Sequence, residues 1–370
     1  GKWPAYFPDS VPAVVDIGPA SPTGVVFGHK AKFPAKYKEA LLFLDWTYGT
    51  IWAAHLSPKG AGYSATIEQF AAADALPVTD TAIGTDGAMY FAIGGRRIQS
   101  ALYRIVYVGD EPTDSPAPEA VLSDLHKLRR SLEIFHGVKH GEAVKTAWQY
   151  LDHEDRWIRH AARIAVESQP VDAWRSRALS PANDRMRIHA AVALARQGVP
   201  ADREELIASL ASIDVAQLPD EQKLEYLRAV SLTYARLSVD AEGKGPDPEN
   251  GAAGRPTAKE RKMLLAKIDP LFPDSNRLVN RELARVLVYL EAPNLVARVL
   301  DHIAKLPKQP LPDWATTLSR NSQYGGRASS MLADMPPTEG MHFAFVLRNL
   351  KTGWTLKQRE AYFGYLIEAS

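Results

Sequence analysis

Between residues 22 and 108 the apolar positions come in short runs broken by Gly, Pro and Asp. The runs are "TGVVFG" (23–28), "ALLFLDWTYG" (40–49), "TIWAAHL" (50–56), "YSATIEQF" (63–70), "DTAIG" (80–84), "AMYFAIGG" (88–95) and "SALYRIVYVG" (100–109). Short runs rich in aromatic and β-branched side chains, with turn residues between them, predict antiparallel strands joined as a meander. The glycines of "SPKGAG" (57–62) and "GTDGA" (84–88) suit hairpin turns that need positive φ. From residue 119 onward the period lengthens. In "VLSDLHKLRRSLEIFH" (121–136), Leu122, Leu125, Leu128, Leu132 and Phe135 share one stripe, while Lys127, Arg129, Arg130 and Glu133 lie mostly off it. That is the pattern of an amphipathic helix. It recurs at 142–151, 154–167, 170–179, 184–197, 202–211, 219–238, 258–269, 276–291, 293–306, 338–351 and 355–369, with Gly, Pro, Asn and Asp as caps and stops.

The expected organisation is a β region over 1–110, a proline-rich linker over 111–118 and a helical region over 119–370. The segment "SVDAEGKGPDPENGAAGRPT" (238–257) has almost no large apolar residue and reads as an exposed, mobile loop. Two helices share a phrase: "EDRWIRHAARIAVE" sets Arg159 before Ala162, and "NDRMRIHAAVALAR" sets Arg187 before Ala190. "NRELARVLVYL", with Arg281 and Ala284, is a weaker echo. These copies are similar to the second helix of HEAT-type repeats, where the small Ala permits close packing and the Arg meets an acid of a neighbouring repeat. A helical solenoid is the reading they favour, with an irregular helical domain as the alternative.

Composition narrows the chemistry. In 370 residues, 44 Lys and Arg stand against 43 Asp and Glu, so no net field draws the chain to nucleic acid or an anionic membrane. Trp148, Trp157 and Trp174 near Arg156, Arg159 and Arg175 read as core rings flanked by surface charge rather than a nucleic-acid groove. The absence of cysteine excludes disulfides, thiolate metal sites, a cysteine nucleophile and covalently attached haem. No apolar run reaches the roughly eighteen residues of a membrane span. The opening "GKWPAYFPDS" lacks the features of a signal peptide, and its first residue is not Met, which implies a processed, tagged or truncated product.

Few residues suggest a site. Arg96 and Arg97 in "GGRR" lie where a strand leaves its sheet, and two guanidiniums there either grip a carboxylate, phosphate or quinone oxygen or stand in solvent at a turn. Asp45, Trp46 and Tyr48 in "LDWTYG" either line a polar pocket or staple the turn, the Asp accepting backbone N–H bonds. His136 and His140 have the spacing of a helical metal pair, but Gly137 and Gly141 end the helix there, and no metal site is expected. No P-loop, dinucleotide fingerprint or nucleophile elbow occurs.

Long phrases carry a family resemblance. "WPAYFPDSVPAVVDIGPASPTGVVFG", "KFPAKYKEALLFLDWTYGTIWAAHL" and "DTAIGTDGAMYFAIGGRRIQSALYRIVYVGD" resemble the last β-propeller blades of large exported planctomycete and verrucomicrobial proteins of glucose/sorbosone-dehydrogenase-like type. "HEDRWIRHAAR", "VYLEAP" and "FVLRNLKTGWTLKQREAYFGYL" are similar to the HEAT-like region that follows. The resemblance implies an incomplete propeller, with one full blade (22–72), most of a final one (76–108), and a helical solenoid behind. It implies a periplasmic or otherwise exported protein whose full length is a quinone-dependent sugar or aldehyde dehydrogenase, using pyrroloquinoline quinone and calcium and passing electrons to a c-type cytochrome domain. Arg96, Arg97, Asp45 and Trp46 would then face the quinone. The general base has no identifiable counterpart: His29 and His55, the histidines of the β region, sit in no matching motif. No cofactor is expected on this chain alone. Open blade edges would need the missing blades or another polypeptide, unless the strands form a small sandwich against the helices. The alternative function is a non-catalytic scaffold that docks a cytochrome, another subunit or a polysaccharide.

Overall fold

The computed structural model describes residues 3–74, 76–95, 98–114, 122–180, 182–238, 255–307 and 337–369, with 326, 330 and 332. They form a mixed fold, antiparallel sheet first and helix after, in two compact units. Residues 13–114 belong to the β unit, and residues 3–12, 124–307 and 337–369 to the helical unit. The expected boundary at 110 thus needs one amendment. Residues 3–12, assigned from sequence to the β region, pack with the helices, because their aromatic and acidic side chains find partners there.

The first sheet is a four-stranded meander, β1 (Pro22–Phe27), β2 (Leu41–Asp45), β3 (Thr50–Lys59) and β4 (Gly62–Ala72), each strand pairing with the next. The second is a three-stranded meander, β5 (Val78–Ile83), β6 (Met89–Gly95) and β7 (Ile98–Ile105). Alternation decides the faces. Leu42 and Leu44 on β2, Ile51 and Ala53 on β3, and Met89, Phe91 and Ile93 on β6 all turn into one core, sealed by Phe33 and Val78. The two sheets are joined where Thr23 of β1 donates to the Val78 carbonyl at 2.8 Å. Gly24 permits this, since a Cβ there would lie 2.8 Å from Asp80 Cα. The hairpin between β3 and β4 turns through Gly60 at φ +60°. β7 leaves Leu102 71% exposed.

The helical unit begins with α2 (Asp124–Glu133), a short α1 (Ala35–Lys38) having preceded β2. It continues with α3 (Ala143–Ala147), α4 (Arg156–Glu167), α5 (Arg175–Leu179), α6 (Asp184–Gln197), α7 (Arg203–Ala211) and α8 (Asp220–Leu237). After these come α9 (Ala258–Ile268), α10 (Arg277–Tyr289), α11 (Leu295–Ala304) and helices Thr338–Leu347 and Leu356–Glu368. The packing order is regular. The even-numbered helices α2, α4, α6, α8 and α10 each pack on the next, and α10 on Thr338–Leu347. The odd helices α5, α7 and α9 pack successively alongside. Three even helices start at a short polar residue that closes free N–H groups. Asp155 accepts from Trp157 and Ile158, Asn183 from Met186, and Asn276 from Leu278 and Val279. α4 then buries Ile158, Ala161, Ala162, Ala165 and Val166, and α6 buries every residue from Ile188 to Ala195. Residues 239–254 of the 238–257 segment and 115–118 of the 111–118 linker lie outside the described residues.

Candidate functional site

The residues singled out from sequence have separate fates. Asp45 ends β2, is 2% exposed, and its Oδ1 accepts from the Ser21 and Thr47 backbone N–H groups, each at 3.0 Å. Burial raises its pKa above the ordinary aspartate value, against the backbone donors from Ser21, Thr47 and Tyr48 that lower it. The Trp46 indole N–H donates to the Gly94 carbonyl at 2.8 Å, and its ring lies over Gly95, where a Cβ would sit 2.9 Å from the ring. This is the turn-stapling geometry. Arg96 and Arg97 lie outside the described residues. Asp45 and Trp46 are thus each engaged with backbone, Trp46 at the end of β6 and Asp45 at the turn that follows β2. His55 lies 2.9 Å from Glu68, which also accepts from Lys36 at 2.7 Å. Among the described residues no cluster of His, Asp and Glu could hold a metal ion. α2 ends at Glu133, and Gly137 follows at φ +72°. His136 Nε2 meets the Ala161 carbonyl at 2.9 Å, while His140 Nδ1 accepts from the Glu142 N–H.

The polar chemistry gathers instead on the even-numbered helices. Arg159 of α4 is 1% exposed, and all five of its N–H donors have partners. Nε reaches His189 Nε2 on α6 at 3.1 Å, and one terminal nitrogen reaches the His153 and Glu154 carbonyls at 2.8 and 2.7 Å. The other reaches Glu221 and Glu225 of α8 at 2.6 and 3.1 Å. His189 Nε2 also lies 3.2 Å from Glu225 Oε1, so that nitrogen accepts from the arginine when it carries no hydrogen or donates to the glutamate when it carries one. Burial opposes the Glu225 charge, but His189 and Arg159 outweigh it and bring its pKa down to about 2. Arg159 is the repeat-phrase arginine, and its acids sit two helices away. The second copy, Arg187, donates to Ser209 of α7 at 3.0 Å.

Across the same helices runs the amino-terminal segment "WPAYFPDS". Arg156 of α4 donates to three of its carbonyls, Ala5 at 2.8 Å and Phe7 and Ser10 at 3.2 Å each. Arg228 of α8 grips Asp9 through two parallel bonds of 2.9 and 2.7 Å and lies 4.9 and 4.3 Å from the Trp3 and Phe7 ring centres. Tyr6 donates to Glu282 of α10 at 2.6 Å, and Phe7 is buried. Burial pushes the Asp9 carboxyl up, and the Arg228 bonds, with Arg163 nearby, bring it below the ordinary aspartate value. Beneath Tyr6 and Pro8 a cleft of about 190 Å³ extends to Arg159, His189 and Glu225. Sequence reading missed Arg156, Arg228, Tyr6 and Asp9. The available signal was three aromatic rings and one acid packed among prolines within eight residues.

Compared with models of protein families, with curated proteins and with solved structures, the chain matches none.

Proposed function

We propose that this protein is an interaction scaffold, made of propeller-type meanders and HEAT-type stacked helices, whose even-numbered helices receive an extended polypeptide segment. The carrying observation is the seating of residues 3–10. Arg156 reads three backbone carbonyls, which any sequence offers, while Arg228 and Glu282 read an acid and a tyrosine, which few do. A backbone grip combined with two side-chain tests is how extended segments are recognised with selectivity. Support for the stacked-helix reading is the succession of even helices and the Arg159 bonds that tie three of them. The test uses the full chain carrying Y6A and D9N to loosen its own segment. A labelled peptide copying residues 3–12 should bind saturably, and R228A on that background should abolish it. Failure of the peptide to bind the loosened chain removes the reading.

A dehydrogenase-like origin has one supporting observation, the succession of a four-stranded and a three-stranded meander of blade size. In an exported parent of that kind the helices would dock a c-type cytochrome or a neighbouring subunit. Adding pyrroloquinoline quinone and calcium to the chain should give no aldose-dependent dye reduction. Turnover would restore the catalytic reading.

A further inference from the structure

The Asp9 carboxylate of the amino-terminal segment sits among guanidiniums from three helices. Arg228 of α8 holds both of its oxygens, at 2.9 and 2.7 Å. Arg196 of α6 donates through Nε to Glu167 of α4 at 3.1 Å and leaves a terminal nitrogen 3.8 Å from Asp9 Oδ2, too far for a hydrogen bond. That nitrogen makes no hydrogen bond among the described residues, and the Arg196 side chain is 35% exposed, so a ligand oxygen can reach it. Arg163 of α4 is wholly buried and bonded to Glu167, and it acts on the seat through its charge alone. Burial works to raise the Asp9 pKa, and the Arg228 bonds with the Arg163 charge outweigh it. Three positive charges therefore face two carboxylates, Glu167 and Asp9. The neighbouring acids are engaged elsewhere, Glu221 and Glu225 with Arg159, and Glu282 with Tyr6 and Arg285. One positive charge is left over, at the place where the carboxylate stops short of Arg196.

A phosphorylated side chain differs from aspartate in both respects. It carries close to two negative charges at neutral pH, and its third oxygen stands farther from the backbone. Such a group cancels the surplus charge and lets Arg196 form a bond while Arg228 keeps its two. Competition favours the same choice. The chain's own segment is covalently tethered, which for a short flexible tether presents it at an effective concentration on the order of millimolar. A partner segment must therefore be bound more tightly than the resident one, and the surplus charge is the means the seat has of telling them apart. Resting on the segment-receiving role of this face, we propose that its partner is an extended polypeptide with a phosphorylated serine or threonine at the position Asp9 holds, two residues after an aromatic ring in the Phe7 site. Asp9 is the weaker resident stand-in for that phosphate.

The experiment measures binding of two labelled peptides to the full chain carrying Y6A and D9N. One copies residues 3–12, and the other has phosphoserine at the Asp9 position. The phosphopeptide should bind about tenfold or more tightly, as one added charge-assisted bond requires. Adding R196Q should remove most of that gain while weakening the aspartate peptide by about threefold or less, since that contact is ionic without a hydrogen bond. Circular dichroism and thermal unfolding report whether each variant is folded. A third arm titrates free O-phosphoserine, which should bind far more weakly than the phosphopeptide. If the aspartate peptide binds and the phosphopeptide binds no better, the proposal is overturned and the segment-receiving role stands. If neither peptide binds, both fall. A phosphate preference of unchanged size in folded R196Q, or free O-phosphoserine binding as tightly as the phosphopeptide, also overturns the proposal.

Discussion

Two acidic residues show how burial and partners set opposite pH behaviour. Asp45 is desolvated more than its backbone donors compensate, so its pKa in the folded chain is raised. For an acid this sign means that the charge works against folding at neutral pH, and that stability from this group grows as pH falls through the folded pKa. D45N keeps an acceptor for Ser21 and Thr47 and removes the charge. It should be neutral or stabilising by urea unfolding at pH 7, while D45A, which orphans those N–H groups, should cost about 1–3 kcal/mol. Glu225 has the reverse sign. Its pKa falls from 4.5 to about 2, so its stabilisation is complete above pH 4.5 and is lost as pH falls toward 2. E225Q leaves Arg159 and His189 facing a neutral group and should cost about 3 kcal/mol at pH 7. The gap from wild type should close between pH 4.5 and 2, and a gap independent of pH would contradict the assignment. Of the candidate site's residues, Arg159 was legible in sequence because its phrase recurs in α6. Its partners were not, because Glu221 and Glu225 lie more than sixty positions away and only helix stacking brings them near.

At the level of elements the sequence was a good guide, since periodicity and caps are local. The runs at 40–49 and 88–95 contain β2 and β6, and the stripe at 184–197 coincides with α6. Caps explain that agreement. Asn183 closes the Met186 N–H at 2.8 Å and its amide donates to Asp152 at 2.5 Å, fixing where α6 starts. N183A should lower stability by about 1 kcal/mol, read from denaturant unfolding of the helical signal, whereas N183S, which keeps a capping oxygen without setting a second carboxylate against Asp152, should cost less. Where elements were overextended, glycine or competing contacts explain it. The stripe of 121–136 runs past Glu133, but Phe135 and His136 leave the helix before Gly137, and His136 turns to the Ala161 carbonyl. A hydrophobic stripe records which residues are buried and does not record which of them are helical.

For the whole molecule the decisive feature is the amino-terminal segment. Its sequence neighbours are strands, and a reading by adjacency gives it to the β region. Arg156, Arg228 and Glu282 give it to the helices. R228A removes a bidentate ion pair and two ring contacts while leaving the cores of α8 and α10 intact. It should raise hydrogen exchange of Tyr6, Phe7 and Asp9 amides by about tenfold or more with little change in helix content. Unchanged exchange would show that packing of Phe7 alone holds the segment.

Local order in this chain was written locally. Alternating apolar runs, 3.6-residue stripes, Asp and Asn caps and turn glycines act over a few residues, and through them the sequence by itself determined that strands come first and helices after, and roughly where each begins. Tertiary structure alone decided that residues 3–10 belong to the helices, that Asp45 and Trp46 serve a turn, and that Arg159 ties α4, α6 and α8. Each of these depends on charges and donors far apart in sequence meeting in a space that only packing creates.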